Sequence, residues 1–131
     1  GDVKYHLGAY RPDTRMIYRN LYHEYSDREL RDLMVHEFAH QVDQDKGVSD
    51  GRPWRPSRAQ RQRWAAVMGE AFTRLNHAPS AVISGYGATE PAEYFAVVSE
   101  LFFEQPQALA TEAPAVYREL MGLYQVNPLA W

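Results

Sequence analysis

Ser26-Asp27-Arg28-Glu29-Leu30 opens a stretch that continues through His36-Glu37-Phe38-Ala39-His40 to Lys46. Reading residues 26–46 as one helix decides how the rest of the chain is arranged. Ser26 with Glu29 three residues on forms a capping box, and Gly47 is a stop. Leu30, Leu33, Met34 and Val42 supply an apolar stripe. On such a helix His36 and His40 stand one turn apart on one face, so both imidazoles can reach one metal ion. Glu37 projects beside that ion, placed to accept a proton from a water held there.

Upstream of this helix, residues 5–10 and 15–20 are short and rich in aromatic and large apolar side chains. Pro12-Asp13-Thr14 lies between them as a turn signal, so the two runs read as a β-hairpin. Its second strand, just before the histidine helix, could pair with an extended peptide as an added strand. Downstream, residues 47–56 form a loop punctuated by Gly47, Gly51, Pro53 and Pro56. Ser57 caps a helix over residues 57–76, where Trp64, Val67, Met68, Ala71, Phe72 and Leu75 follow helical spacing. A short apolar run over residues 81–87 leads into Gly85-Tyr86-Gly87. Thr89 or Glu90 caps a third helix with Pro91 in its first turn, and Pro106 stops it near Gln105. A last helix over about 114–125 turns Tyr117, Leu120, Met121 and Tyr124 inward, and Pro128 ends it. The expected fold is α+β, one domain over residues 1–131: a small N-terminal β-sheet or hairpin packed with about four helices.

The 131 residues are 45% hydrophobic and 24% charged, the profile of an ordinary globular protein with one real core. A formal charge of −3 argues against a dedicated nucleic-acid binder. The chain has no cysteine, so a metal would be held by His, Asp or Glu rather than by thiolates. No run approaches the roughly 20 apolar residues of a membrane span. The best candidate, residues 95–103, contains Ser99 and Glu100. Gly1-Asp2-Val3-Lys4 does not read as a signal peptide, and with the absence of cysteine the expected location is cytoplasmic.

His-Glu-x-x-His on a helix is the arrangement of zinc peptidases. It supplies two ligands, and a catalytic zinc site takes three protein ligands. A third histidine six residues beyond His40 is absent, because that position is Lys46. Asp43 lies on the same helix face, but one ion cannot easily take ligands from three successive turns of a straight helix. Asp43 therefore reads as a partner behind the site or between helices, or else as a solvated or loop-capping carboxylate. His6, His23 and His77 pair with no helix face. The carboxylates Glu90, Glu93 and Glu100 of the third helix remain. Glu90 sits at the helix boundary, where an acid suits the macrodipole. Between Glu93 and Glu100, Ala96 and Val97 would let this helix approach the histidine helix closely, and Glu93, in the first turn beside the glycine-bounded loop that could border the cleft, is the first choice as third ligand. Glu100 could orient a histidine ligand or form a plain salt bridge. The Arg-rich run Arg52, Arg55, Arg58, Arg61 and Arg63 reads mainly as a solvated face.

Residues 36–43, then Gly47, Gly51 and Pro53, resemble the MtfA (Mlc titration factor A) family of zinc metallopeptidases. So do residues 86–103, Tyr86-Gly87-Ala88-Thr89-Glu90-Pro91-Ala92-Glu93 onward, and Tyr117, Leu120, Tyr124 and Pro128. The resemblance covers about residues 27–128. It implies a zincin-like, gluzincin-type hydrolase with zinc held by His36, His40 and Glu93. It also implies Glu37 as general base and Tyr86 as a residue that stabilises the transition state. The expected reaction is peptide-bond hydrolysis by a zinc-activated water, on a peptide or protein substrate. Two departures stand out: Glu90-Pro91 replaces the family's usual Asp or Asn before Pro, and family members carry more chain upstream. Binding of a glucose-responsive repressor is therefore not carried over.

Two rivals belong to other classes. One is an inactive zincin acting as a peptide-binding or structural-metal module; the intact Glu37 argues against it. The other is a di-iron carboxylate bundle, since Glu37-x-x-His40 also fits its Glu-x-x-His pattern. That fold needs a second copy of the pattern, and no other glutamate here has a histidine three residues on.

Overall fold

The computed structural model describes residues 13–45 and 47–131. Among them there are six α-helices and two 3-10 turns, and no strand. The expected N-terminal sheet, and with it the α+β class, is therefore not what the described chain forms. The first arm of the expected hairpin, residues 5–10, lies outside the described residues. The second arm is helical: α1 spans Thr14–Glu24. Asp13, read as a turn residue, is its N-cap and accepts the Met16 N–H at 3.1 Å. Thr14 and Tyr18 are buried and Leu21 packs against the core, a helical spacing that the aromatic and branched content of the run disguises. With no strand at residues 15–20, the added-strand mode of peptide binding there falls away too.

Helix α2 spans Arg28–Gln44. Its cap is Asp27 rather than Ser26; the carboxylate accepts from Glu29 and Leu30 N–H. Its buried face is Val35, Ala39, Val42 and Asp43, whereas Leu30 and Leu33 of the expected stripe are exposed. The real stripe is narrow because half of the inward face is given to polar residues. Helix α3 spans Arg58–His77 and has the full capping box, Ser57 with Gln60.

Helix α4 spans Pro91–Glu104, with Pro91 at its start as expected. Ten of its 14 residues are buried, so it is the central element, apolar on nearly every side. It runs antiparallel to α2, because His36 lies against Glu100 and Glu93 while His40, one turn later, lies against Glu93 alone. Ala39 and Ala96, both fully buried, keep the two helices close. Helix α4 ends at Glu104 with Gln105 as its C-cap, just before Pro106 as expected, but the chain beyond is helical again. Pro106 opens α5, Pro106–Glu112, and Pro114 opens α6, Pro114–Tyr124. A proline can stop one helix and be the first residue of the next, and Pro106 does both.

Around α4 the core is aromatic. Tyr124 packs against Phe38, Phe95, Phe102 and Phe103, and its hydroxyl shares a 2.8 Å hydrogen bond with Ser99. A polar group ties the α1–α2 corner to the end of α4. Glu104 accepts from Tyr18 and, at 2.9 Å, from Arg31, which also donates to the Tyr25 and Ser26 carbonyls. Of the arginine run, Arg55 is buried and its guanidinium lies 5.9 Å from the Trp64 ring; Arg52, Arg58, Arg61 and Arg63 are exposed. No described helix is long and apolar enough to cross a membrane.

Candidate metal centre

The antiparallel pairing of α2 and α4 brings three side chains to one point. His36 Nε2 lies 3.0 Å from Glu93 Oε2, His40 Nε2 lies 3.0 Å from Glu93 Oε1, and the two imidazole nitrogens are 3.1 Å apart. Among the described residues this is the one group of three or more His, Cys, Asp or Glu side chains arranged to hold a metal ion. The three residues are only 14–19% exposed at their side chains. Two imidazole nitrogens facing each other across 3.1 Å repel unless a proton or a cation lies among them. The spacing suits a cation: a tetrahedral site with bonds of about 2.0 Å separates its ligands by about 3.3 Å. The donor set, two nitrogens and a carboxylate with no sulfur, fits a borderline divalent ion.

His36 is held from behind. Its Nδ1 lies 3.3 Å from Glu100 Oε1, two turns along α4 from Glu93. Donating the Nδ1 proton to that carboxylate leaves the Nε2 lone pair free to point at a metal. Burial, with repulsion from Asp32 and Glu93, pushes the Glu100 carboxyl up to about 7. Asp32 has its own titration raised by burial, then by Glu104. It stands four residues before His36, a helical spacing that marks it as a neighbour of the site and that the sequence reading passed over.

Glu37 is exposed, next to His36 on the open side of α2. Tyr86 sits in the 3-10 turn Gly85–Ala88. The turn is fixed by the Ser84 side chain on Tyr86 N–H, by Thr89 on the Tyr86 carbonyl, and by Gly87, buried against Leu75, Val97 and Tyr94. The Tyr86 ring is 6.2 Å from that of His36. The negative charge of Glu93, which also accepts the Tyr86 hydroxyl proton in a hydrogen bond, holds the phenol above its usual range.

The other sequence candidates lie elsewhere. Glu90 is the N-cap of α4 and is exposed. His77 bonds the Thr73 carbonyl at 2.8 Å, and His23 is exposed in the last turn of α1. Asp43 is fully buried but turns to the loop after α2, where its Oδ2 accepts Gly51 N–H at 2.7 Å.

Residues 16–125 match the model of one family, described as glucose-regulated metallo-peptidase M90. The chain belongs to that family. This M90 chain is 39% identical over 102 residues to an uncharacterized protein of Synechocystis sp. It is 35% identical over 104 residues to Mlc titration factor A of Edwardsiella ictaluri, and 36% over 104 residues to the Klebsiella pneumoniae (strain 342) protein of that name. Each match takes 74% of this chain and 37–40% of the relative, so the M90 chain spans about two fifths of the length of these proteins. The resemblance to the MtfA family stands on these matches, and membership makes a metallo-peptidase the family-level activity.

Proposed function

We propose that this chain carries the centre of a zinc-dependent, gluzincin-type peptidase. The observation that supports it most is the meeting of His36, His40 and Glu93 within a few ångströms of one another. In this reading those three residues hold the metal. A zinc ion bound there would lower the pKa of water toward about 7 and polarise a carbonyl. Glu37 is the general base: its exposed carboxylate takes a proton from the attacking water and returns it to the leaving amine. Tyr86 donates its hydroxyl proton in a hydrogen bond to the oxyanion that develops on the scissile carbonyl. Glu100 fixes the ring of His36. The substrate class is a peptide or protein, and the location is cytoplasmic.

The enterobacterial relatives are named for titration of Mlc. The chain spans about two fifths of those proteins, and repressor binding is not part of this reading. Cleavage of a casein-derived peptide mixture, followed by mass spectrometry, tests the proposal. The wild type with zinc cuts; Glu37→Gln, which keeps the ligands, loses at least about 100-fold, the lower end of what general acid–base catalysis contributes. Equal rates for the two proteins would sink the enzyme reading and leave a metal-holding or peptide-binding module.

A further inference from the structure

Along α2, one turn beyond His40, comes Asp43, and the antiparallel packing sets it level with the start of α4. Asp43 is fully buried, and its Oδ2 accepts from Gly51 N–H at 2.7 Å and from Ser49 Oγ at 3.2 Å. Gly51 is gripped on its other sides as well. Its carbonyl accepts the indole N–H of Trp64 on α3 at 2.9 Å. Its Cα lies so close to α4 that a Cβ there would stand 2.5 Å from the Pro91 carbonyl oxygen and 2.7 Å from its carbon. These are backbone atoms of the first turn of a helix, which cannot swing aside as a side-chain tip would. The backbone at Gly51 has φ +75°, a conformation glycine adopts freely. Glu90, the N-cap of α4, makes no side-chain capping bond. The first turn of α4 is therefore seated by Gly51 rather than by its own cap, and Glu93 lies two residues beyond Pro91.

We propose that Asp43 and Gly51 are positioning residues of the metal centre: through Pro91 they seat the first turn of α4 against α2, and so set Glu93 against His36 and His40. The chain of contacts runs from the histidine helix back to the third ligand: Asp43, Gly51, Pro91, Glu93. It rests on the reading of His36, His40 and Glu93 as metal ligands. It gives Asp43, on the ligand face yet too far along the helix to bind the same ion, a role at the site without direct coordination. A Cβ at Gly51 forces the loop and the first turn of α4 apart by about 0.9 Å, the difference between 2.5 Å and the ordinary contact distance of 3.4 Å. The share of that shift taken by α4 changes the seat of Glu93 against the two imidazoles.

The test is a double-mutant cycle on metal affinity, read without activity. Wild type, Gly51→Ala, Glu93→Gln and the double variant are stripped of metal and titrated with zinc against a chelator. Circular dichroism checks the helix content, and cobalt(II) absorption reports the coordination. Gly51→Ala is expected to keep its helices and lose about 10–100-fold in zinc affinity, the range for groups that orient ligands. Its cobalt spectrum should shift toward that of Glu93→Gln. In the Glu93→Gln background the same substitution should add less than about twofold, because the ligand it displaces is already gone. Asp43→Asn, which replaces a charged acceptor with a neutral one, runs the same cycle and decides the matter if Gly51→Ala does not fold. Wild-type affinity and cobalt spectrum in the folded variant would overturn the proposal. So would an equal loss with and without Glu93, the mark of general weakening. A wild type that binds no zinc would instead overturn the metal reading itself.

Discussion

Glu93 Oε2 stands 3.0 Å from His36 Nε2, across 57 residues of sequence. The contact joins the central helix to the one helix that carries paired histidines. With no cation between them, the acid and the two imidazoles can share protons; with one, they become a ligand set. The first prediction follows. Glu93→Gln keeps the shape and removes the charge. Zinc affinity, read by chelator competition, should fall by more than about 100-fold, beyond the range for groups that only orient a ligand. Circular dichroism should be unchanged, because the Glu93 side chain lies at the site and outside the core. An affinity within about tenfold of wild type would show that Glu93 does not bind the metal.

Ala96 lies one turn from both Glu93 and Glu100 on the face of α4 that meets α2, and it is fully buried. Ala96→Leu inserts three carbons where the helices are closest. Overpacking of this kind costs about 1–3 kcal/mol, and here it also parts the ligands. Thermal melting should therefore drop, and the zinc-induced rise in Tm should shrink with it. A variant with wild-type Tm would mean the helix pair has room that the burial of Ala39 and Ala96 does not suggest.

The meeting of His36, His40 and Glu93 was legible in the sequence, because a helix carries fixed spacing and because a residue as small as Ala96 allows a close approach. The cap at Ser57 and the start of α4 at Pro91 were legible for the same local reason. The class of the N-terminal region was not. Residues 15–20 have the composition of a strand, and only their burial pattern, with Thr14 and Tyr18 inward and Met16 outward, shows a helix. Leu30 and Leu33 misled in the opposite sense. Apolar side chains at helical spacing suggest an inward face, but on α2 part of that face is given to the histidines, so two leucines are left in solvent. For Asp43 a loop-capping role was one of the readings open, but not which donor it caps, because that is a backbone N–H eight residues away.

Glu100 offers a third measurement. Its Oε1 is 3.3 Å from His36 Nδ1, and α4 provides no second carboxylate at that nitrogen. Glu100→Gln keeps an acceptor but weakens the bond that orients the ring. Zinc affinity should fall by about 10–100-fold, less than for Glu93→Gln. The order of the two losses is the informative result. If Glu100→Gln cost more than Glu93→Gln, Glu100 would be the ligand and Glu93 its support.

Tyr94 carries the last prediction, which concerns stability away from the site. Its ring is buried between α4 and α3, edge-on to Phe72, and its hydroxyl is buried with no hydrogen-bond partner among the described residues. Removing a buried hydroxyl that has no partner costs little, so Tyr94→Phe should match or exceed wild-type stability at pH 7. Burial pushes the phenol up to about 12, with Glu112 adding to the rise and Arg74 opposing it. The folded protein therefore keeps the proton at pH values where the unfolded chain, with a tyrosine near 10, has released it. Between pH 10 and 12 the unfolded state binds fewer protons, and wild-type stability falls as pH rises, by up to about 1.4 kcal/mol per unit from this one group. Tyr18 and Tyr124, also raised by burial, add slopes of the same sign to both proteins. The difference between wild type and Tyr94→Phe isolates Tyr94. In urea unfolding at pH 9, 10, 11 and 12 that difference should grow in favour of the variant above pH 10. A constant difference across the series would mean that the Tyr94 proton leaves both states together; a loss above about 1 kcal/mol at pH 7 would mean that its hydroxyl makes a stabilising bond.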